Sequence, residues 1–247
     1  MVRPWVLFVA RELARRRGTR VYRLSESGLR LAIRHRTGDV ATLTEVFHLR
    51  YYDPPAEVDR AIGEPRTVLD LGANVGVFGA YAAARWPAAQ IVSYEPDPDN
   101  FAVHERTLAA NGLGHRWTLV REAAGARDHE VRFVPGLAAL SHVVDAEAGE
   151  EATAISVPMR DVLPAVCPAD LVKVDIEGGE WDILLDPRLR LDPPRAIVLE
   201  VHPRNCPGAN PLAVAEHALR EAGLATAVIW ERDDGHGMLW GWLGARG

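Results

Sequence analysis

The stretch 67–101 constrains this chain more than any other. Thr67 to Leu71 is a short apolar run with β-branched residues, as expected of a strand buried in a parallel sheet. A glycine-containing turn follows at 72–76. Val77 to Trp86 is Ala-rich with helical apolar spacing, and Pro87 stands just past its end. Ile91 to Tyr94 reads as a second strand that ends on Glu95. Strand, turn, helix, strand and acid make a βαβ nucleotide-binding unit. The turn lets a ligand approach the backbone, and the acid accepts hydrogen bonds from ribose hydroxyls.

Spacing decides which nucleotide fits. A dinucleotide fingerprint that starts at Gly72 needs glycine at positions 74 and 77, where this chain has Asn74 and Val77. Asn tolerates left-handed backbone angles and can replace a turn glycine. Asp70 sets a carboxylate beside the loop. That suits the ammonium of a methionine moiety and repels a pyrophosphate. The pattern Asp70-x-Gly72-x-Asn74-x-Gly76 instead resembles the first motif of class I methyltransferases that use S-adenosylmethionine, in which Glu95 would take the ribose.

The chain has 247 residues, enough for one α/β domain with an appendage. The formal net charge of −6 argues against a dedicated nucleic-acid binder. Two cysteines, Cys167 and Cys206, make no disulfide framework and read as unpaired thiols of a reducing compartment. No apolar run approaches the roughly 20 residues of a spanning helix. Trp5 to Ala10 is short for a signal-peptide core, so the expectation is a cytoplasmic protein. Of the 28 basic residues only Lys173 is lysine, and it lies inside a strand-like run. Its compact amine can shift its pKa in ways Arg cannot.

Residues 1–36 carry ten Arg against two Glu, a local charge of +8. Trp5 to Arg17 reads as an amphipathic helix with Trp5, Phe8, Val9, Glu12 and Leu13 on one face. Val21 to Leu24 and Leu29 to Arg34 read as a hairpin. The segment is either a surface for an anionic partner or a solvated appendage packed on the core. The second reading is preferred, because basic clusters alone carry little weight. Asp39 is expected to cap a helix over 40–49, and a short helix follows at 56–62. Residues 1–63 thus form a helix-and-hairpin appendage, and 64–247 form the core.

Further helices are expected at 98–110, ended by Asn111-Gly112, at the start of 181–185 and at 211–222. Core strands are expected at 117–120, 171–174 and 196–201, with a small added pair at 131–134 and 155–158. The segment 135–151 between that pair, which includes Ser141-His142, is a candidate lid. Strands at 224–230 and 238–243 joined by a tight link must be antiparallel. The fold expected is a Rossmann-like α/β architecture: a mostly parallel seven-stranded sheet finished by an antiparallel C-terminal hairpin.

Four stretches together carry a more specific resemblance. They are Val68-Leu-Asp-Leu-Gly-Ala-Asn-Val-Gly-Val-Phe78, Tyr94-Glu-Pro-Asp-Pro-Asp-Asn-Phe101, Leu171-Val-Lys-Val-Asp-Ile-Glu-Gly-Gly-Glu180 and Leu199-Glu-Val-His202. With the segment 36–47 ahead of them, they resemble the FkbM family of methyltransferases that use S-adenosylmethionine, many of which act on oxygen. Gly179 stands where the family more usually has Ala or Tyr. The resemblance implies cofactor contacts at Asp70, Gly72, Ala73, Asn74, Gly76, Phe78, Glu95, Pro96, Asn100, Glu122, Ala123 and Asp175. It leaves residues 1–35 and 135–151, and with them the acceptor, open.

The reaction implied is in-line displacement at a sulfonium methyl by an acceptor oxygen, with S-adenosylhomocysteine as product. The protein then has to align the acceptor and exclude water. A hydroxyl acceptor needs a base, whereas a carboxylate does not. His202, Asp175 and Glu177 lie at the correct sheet edge. His202 ranks first as base, since its unperturbed pKa is about 6.5, with a structural hydrogen-bonding role as the alternative. Lys173, if buried, must pair with a carboxylate. Asp175, Glu177, Glu180 and His202 contain ligand types for magnesium, but their spacing matches no metal motif, so no metal is expected. The acceptor expected is a small molecule, a secondary metabolite or sugar; neither a nucleic-acid partner nor a membrane span is expected. The rivals are a methyltransferase of RNA or protein, a noncatalytic module that binds S-adenosylmethionine, and an NAD-dependent oxidoreductase.

Overall fold

The computed structural model describes residues 2–15, 17–135, 142–143 and 154–244. The N-terminal part contains β1 (Val2–Arg3), α1 (Trp5–Leu13), β2 (Gly18–Leu24), β3 (Arg30–His35), α2 (Asp39–Phe47) and α3 (Ala56–Ile62). The alternation unit follows as β4 (Thr67–Leu71), α4 (Val77–Arg85), β5 (Gln90–Tyr94), α5 (Pro98–Asn111) and β6 (Trp117–Val120). Next come β7 (Ala123–Gly125), β8 (His129–Val134), β9 (His142–Val143), β10 (Ile155–Asp161) and α6 (Leu163–Val166). The chain continues with β11 (Leu171–Val174), α7 (Glu180–Leu184), α8 (Pro187–Leu191), β12 (Ala196–Val201), α9 (Pro211–Glu221), β13 (Leu224–Glu231) and β14 (Gly237–Leu243).

The central sheet has seven strands in the order β13-β14-β12-β11-β4-β5-β6. Strands β12, β11, β4, β5 and β6 are parallel, with β6 at the edge, and β14 runs antiparallel to β12 and β13. Val68, Leu71, Leu171, Val172, Ile197 and Leu199 are fully buried, because helices cover both faces of the sheet. This is the mostly parallel seven-stranded Rossmann-like sheet with an antiparallel C-terminal hairpin that the sequence predicts. The order turns back at β4, so the carboxyl ends of β4, β5, β11 and β12 open on one crevice.

The N-terminal segment is built into the same core. Leu31, Ile33, Leu43 and Ile62 pack in one cluster with Val68, Phe78 and Trp117, so the boundary expected at residue 63 crosses continuous apolar packing. Local details differ from the sequence reading. α1 ends at Leu13, and on it only Phe8 is buried; Trp5, Val9 and Leu13 face solvent. Glu12 turns inward to His35 at 2.6 Å. Asp39 does not cap α2, which starts without a side-chain cap. Its fully buried carboxylate instead accepts from the Arg34 guanidinium at 2.8 Å and the Arg34 backbone N–H at 2.9 Å. The ion pair prevails because a buried carboxylate gains more from a fixed guanidinium than from one amide.

The expected added pair of strands is a four-stranded sheet, β7-β10-β8-β9, with Ala123–Gly125 as its parallel edge. Apart from Pro135 and 142–143, the segment read as a lid lies outside the described residues. Cys167 and Cys206 are free thiols. Among the described residues, no helix is long and apolar enough to cross a membrane.

Candidate active site

The turn after β4 is shaped by close approach. Gly72 has φ +76°, and a Cβ there would lie 1.8 Å from the Asp175 carbonyl oxygen. Gly76 has φ +83°, and a Cβ there would meet the His104 ring at 2.5 Å. Asn74 takes φ +49°, the left-handed geometry anticipated for it. Its side-chain Oδ1 is buried and accepts no hydrogen bond, so the turn holds an orphan acceptor ready for a ligand N–H or O–H.

Glu95 faces that turn from the end of β5. Its carboxylate accepts the Asn74 N–H at 2.6 Å and the Asp97 N–H at 2.8 Å. The Asn100 side chain is a third partner, and a carboxylate has about four lone-pair sites, so one is left for a ribose hydroxyl. Burial pushes the Glu95 pKa up to about 7, against the pull of those two amides. Behind the turn Asp70 is fully buried and never reaches the cleft surface. Lys173 accounts for it. The ammonium donates to Gly72 O at 2.6 Å and Leu71 O at 3.3 Å, and lies 3.5 Å from Asp70 and 3.3 Å from Asp175. Burial alone would depress the Lys173 pKa, but Asp175 and Asp70 hold it above its ordinary value. Lys173 therefore props the turn from beneath.

The loop after β11 gives each acid of Lys173-x-Asp-x-Glu-Gly-x-Glu180 a separate task. Asp175 and Glu177 point into the crevice, each about three-quarters buried. Glu177 sits at φ +54°, a conformation costly for a residue with a side chain. Glu180 is fully buried and works as a clamp. It accepts from the Gly178 N–H and the His202 N–H, both at 2.8 Å, and contacts His202 Nδ1 at 3.1 Å. The other ring nitrogen of His202 lies 3.5 Å from Glu177 and 3.8 Å from Asp175. Burial disfavours charge on His202, but Glu180, Asp175 and Glu177 outweigh it and raise its pKa to about 9. The imidazole is thus a cation at neutral pH, which leaves it no lone pair with which to take a proton. Burial, with Asp175 and Glu180 adding, raises Glu177 to about 7 against the opposing pull of His202.

Two adjoining cavities, about 220 and 130 Å³, run along the sheet edge and share Gly72, Pro96, Phe133 and Glu177. The larger is also lined by Ala73, Asn74, Phe78, Glu95, Asn100 and Asp175. The smaller is an apolar slot that contains Ala123, Ala124, Phe133, Met159 and Ile176. Glu122 lines neither cavity. Its carboxylate is held in a bidentate pair by Arg160 at 2.8 and 2.9 Å, so the structure does not bring it to the cleft. Ala123 and Ala124 line the slot, while the Glu122 side chain turns away to Arg160.

Several cleft residues escaped the sequence reading. Thr42, Glu45 and Val46 come from α2. Tyr52 is buried against Phe78, ring centroids 5.2 Å apart, and also lines the larger cavity. Glu200 completes an acid wall with Glu45, Asp175 and Glu177. Burial, with Asp175 adding, raises Glu200 to about 8. Among the described residues, Glu45 and Glu200 are wall carboxylates for which no hydrogen bond or ion pair is seen. The polar end of the fifth core strand was a signal for Glu200. Nothing in the local pattern of 39–52 marked Glu45.

A family model described as "Methyltransferase FkbM domain" matches residues 70–224. "Methyltransferase 1" of Beauveria bassiana is 26% identical over 193 residues, covering 68% of this chain and 74% of that protein. "Hexuronic acid methyltransferase AglP" of Haloferax volcanii is 25% identical over 197 residues, covering 76% and 77%. A solved SAM-dependent methyltransferase from Agrobacterium tumefaciens aligns at TM-score 0.48 and 13% identity over 91% of this chain and 70% of that one. The family match spans the turn, the acid, the Lys-x-Asp-x-Glu loop and His202. The chain is a methyltransferase of the FkbM family.

Proposed function

We propose that the protein transfers a methyl group from S-adenosylmethionine to a hydroxyl of a small molecule, a sugar or secondary metabolite. The observation that carries this reading is one continuous crevice with three chemically distinct parts. The apolar slot suits an adenine, the Glu95 end suits a ribose, and the turn at 72–74 with its orphan Asn74 oxygen suits the polar methionine tail. When bound, S-adenosylmethionine supplies an electrophilic sulfonium methyl. The remaining tasks fall to the chain.

Beyond the cradle stands the acid wall. Glu45, Asp175, Glu177 and Glu200 outnumber the cations Lys173, His202 and Arg232 along the cavity. Carboxyl groups that hold protons near neutral pH can both donate to and accept from a hydroxyl, which supports a hydroxyl acceptor. Glu200, ionised in a fraction that grows as pH rises toward 8, takes the hydroxyl proton as the oxygen bonds to the methyl carbon and the carbon–sulfur bond breaks toward sulfur. His202 is pinned by Glu180 and orients Glu177 and Asp175. Tyr52 and Phe78 wall the cavity against water on the side of α2 and α4. Lys173 fixes the turn.

Calorimetry tests the reading. The purified chain should bind S-adenosylmethionine and S-adenosylhomocysteine but not NAD. Glu95→Ala should weaken S-adenosylmethionine binding by about 30-fold, roughly 2 kcal/mol. Unchanged affinity removes Glu95 from the ribose; binding of NAD alone ends the methyl-transfer reading.

A further inference from the structure

We propose that Asp175, Glu177 and His202 form a binding site for one divalent cation of the oxygen-preferring kind, Mg²⁺ or Mn²⁺. The site goes beyond the methyl-transfer reading and does not depend on it. One ligand atom from each residue lies within 4.8 Å of the other two. His202 Nε2 is 3.5 Å from Glu177 Oε2 and 3.8 Å from Asp175 Oδ1. These separations are too long for good hydrogen bonds. Cis ligands on a cation with bonds of about 2.1 Å stand about 3 Å apart, so movements of under 1 Å would close the set.

The histidine supplies the observation that a mere acidic rim lacks. His202 is only 4% exposed, and its Nε2 makes no hydrogen bond although it is aimed between the two carboxylates. Its Nδ1 is held at 3.1 Å by Glu180, which is itself fully buried and anchored by two backbone N–H groups. A carboxylate behind an imidazole fixes the ring, and a divalent cation that displaces the Nε2 proton would take the far nitrogen as a ligand. Asp175 divides its oxygens: Oδ2 faces Lys173 at 3.3 Å, and Oδ1 faces His202. The lysine therefore does not occupy the ligating oxygen.

The three groups stand on the loop after β11 and on the residue after β12, neighbouring strands whose pairing fixes their separation. Two carboxylates with one imidazole suit a hard cation that tolerates nitrogen, and Mn²⁺ meets that description best. All three residues line the larger cavity, so the remaining coordination positions face the crevice. Water or neighbouring acceptor hydroxyls would fill them. In the sequence these residues match no spacing motif, because the triad is assembled across two strands rather than along one.

The test uses Mn²⁺ as probe on the full chain after treatment with a chelator, with neither cofactor nor acceptor present. Calorimetry should show one Mn²⁺ per chain. Glu177→Gln and Asp175→Asn should each weaken it at least tenfold, and Glu216→Gln on the outer face of α9 should not. Circular dichroism confirms that each variant is folded. The pulsed electron-paramagnetic-resonance spectrum of bound Mn²⁺ should show imidazole nitrogen coupling that His202→Gln abolishes. That second readout stands even if one carboxylate variant fails to fold. The proposal falls if Mn²⁺ does not bind saturably by millimolar concentration, if both carboxylate variants bind it as tightly as the parent, or if the bound ion shows no nitrogen coupling.

Discussion

The two ends of the crevice are built in different ways. The cradle at 72–76 is made of backbone: a left-handed turn, two glycines placed by close contacts, and a carboxylate that accepts main-chain amides. The acid wall is made of side chains from three separate segments, α2, the loop after β11 and the end of β12. A backbone site writes itself into consecutive residues, because the chain must carry Gly or Asn where φ is positive. A wall of side chains needs only that distant carboxylates arrive at one place. The cradle is therefore a fixed recognition device, and the wall is where members of one fold can differ.

Gly72→Ala should show the largest effect, since it attacks the backbone end directly. A methyl 1.8 Å from the Asp175 carbonyl must displace the whole loop after β11. The expected cost is above about 3 kcal/mol of stability in urea unfolding, together with loss of cofactor binding. A variant with parental stability and affinity would mean that the cradle is softer than the wall.

Glu200→Gln probes the other end. It should lower kcat by about 100-fold, roughly 2.7 kcal/mol, and leave cofactor affinity within twofold in calorimetry. A fall in affinity with kcat unchanged would move Glu200 from the wall to the cradle, and full activity would remove it from proton transfer.

The smallest effect concerns the support beneath the cradle. His104 is fully buried, edge-on to Trp117 with ring centroids 5.0 Å apart, and burial lowers its pKa from 6.5 to about 3. The unfolded chain therefore binds a proton between pH 6.5 and 3 that the folded chain refuses. Stability is fully present above pH 6.5 and is lost as pH falls, by about 2 kcal/mol at pH 5 from this group. Urea midpoints at pH 8 and 5 should show His104→Leu losing that much less than the parent. Equal losses would mean that the ring under Gly76 titrates freely.

How legible each part was follows from the same contrast. Gly72, Asn74 and Glu95 were readable because spacing alone distinguishes their turn from a dinucleotide loop. Ala123 lines the slot while Glu122 pairs with Arg160, a division that no local pattern in the sequence marked. Asp39 looked like a cap by its position, but burial beside Arg34 made it an ion-pair partner. Glu45 was invisible, since α2 comes over the crevice only through packing of the N-terminal segment on the core.

The sequence by itself determined the order of the central-sheet strands, the positive-φ turn and the acid at the end of β5, because these depend on local sterics and apolar periodicity. Only the tertiary structure decided which carboxylates meet. It stacked β11 beside β12, set Glu180 behind His202 and brought Glu45 in from far upstream. Long-range packing makes such contacts, and no spacing along the chain encodes them.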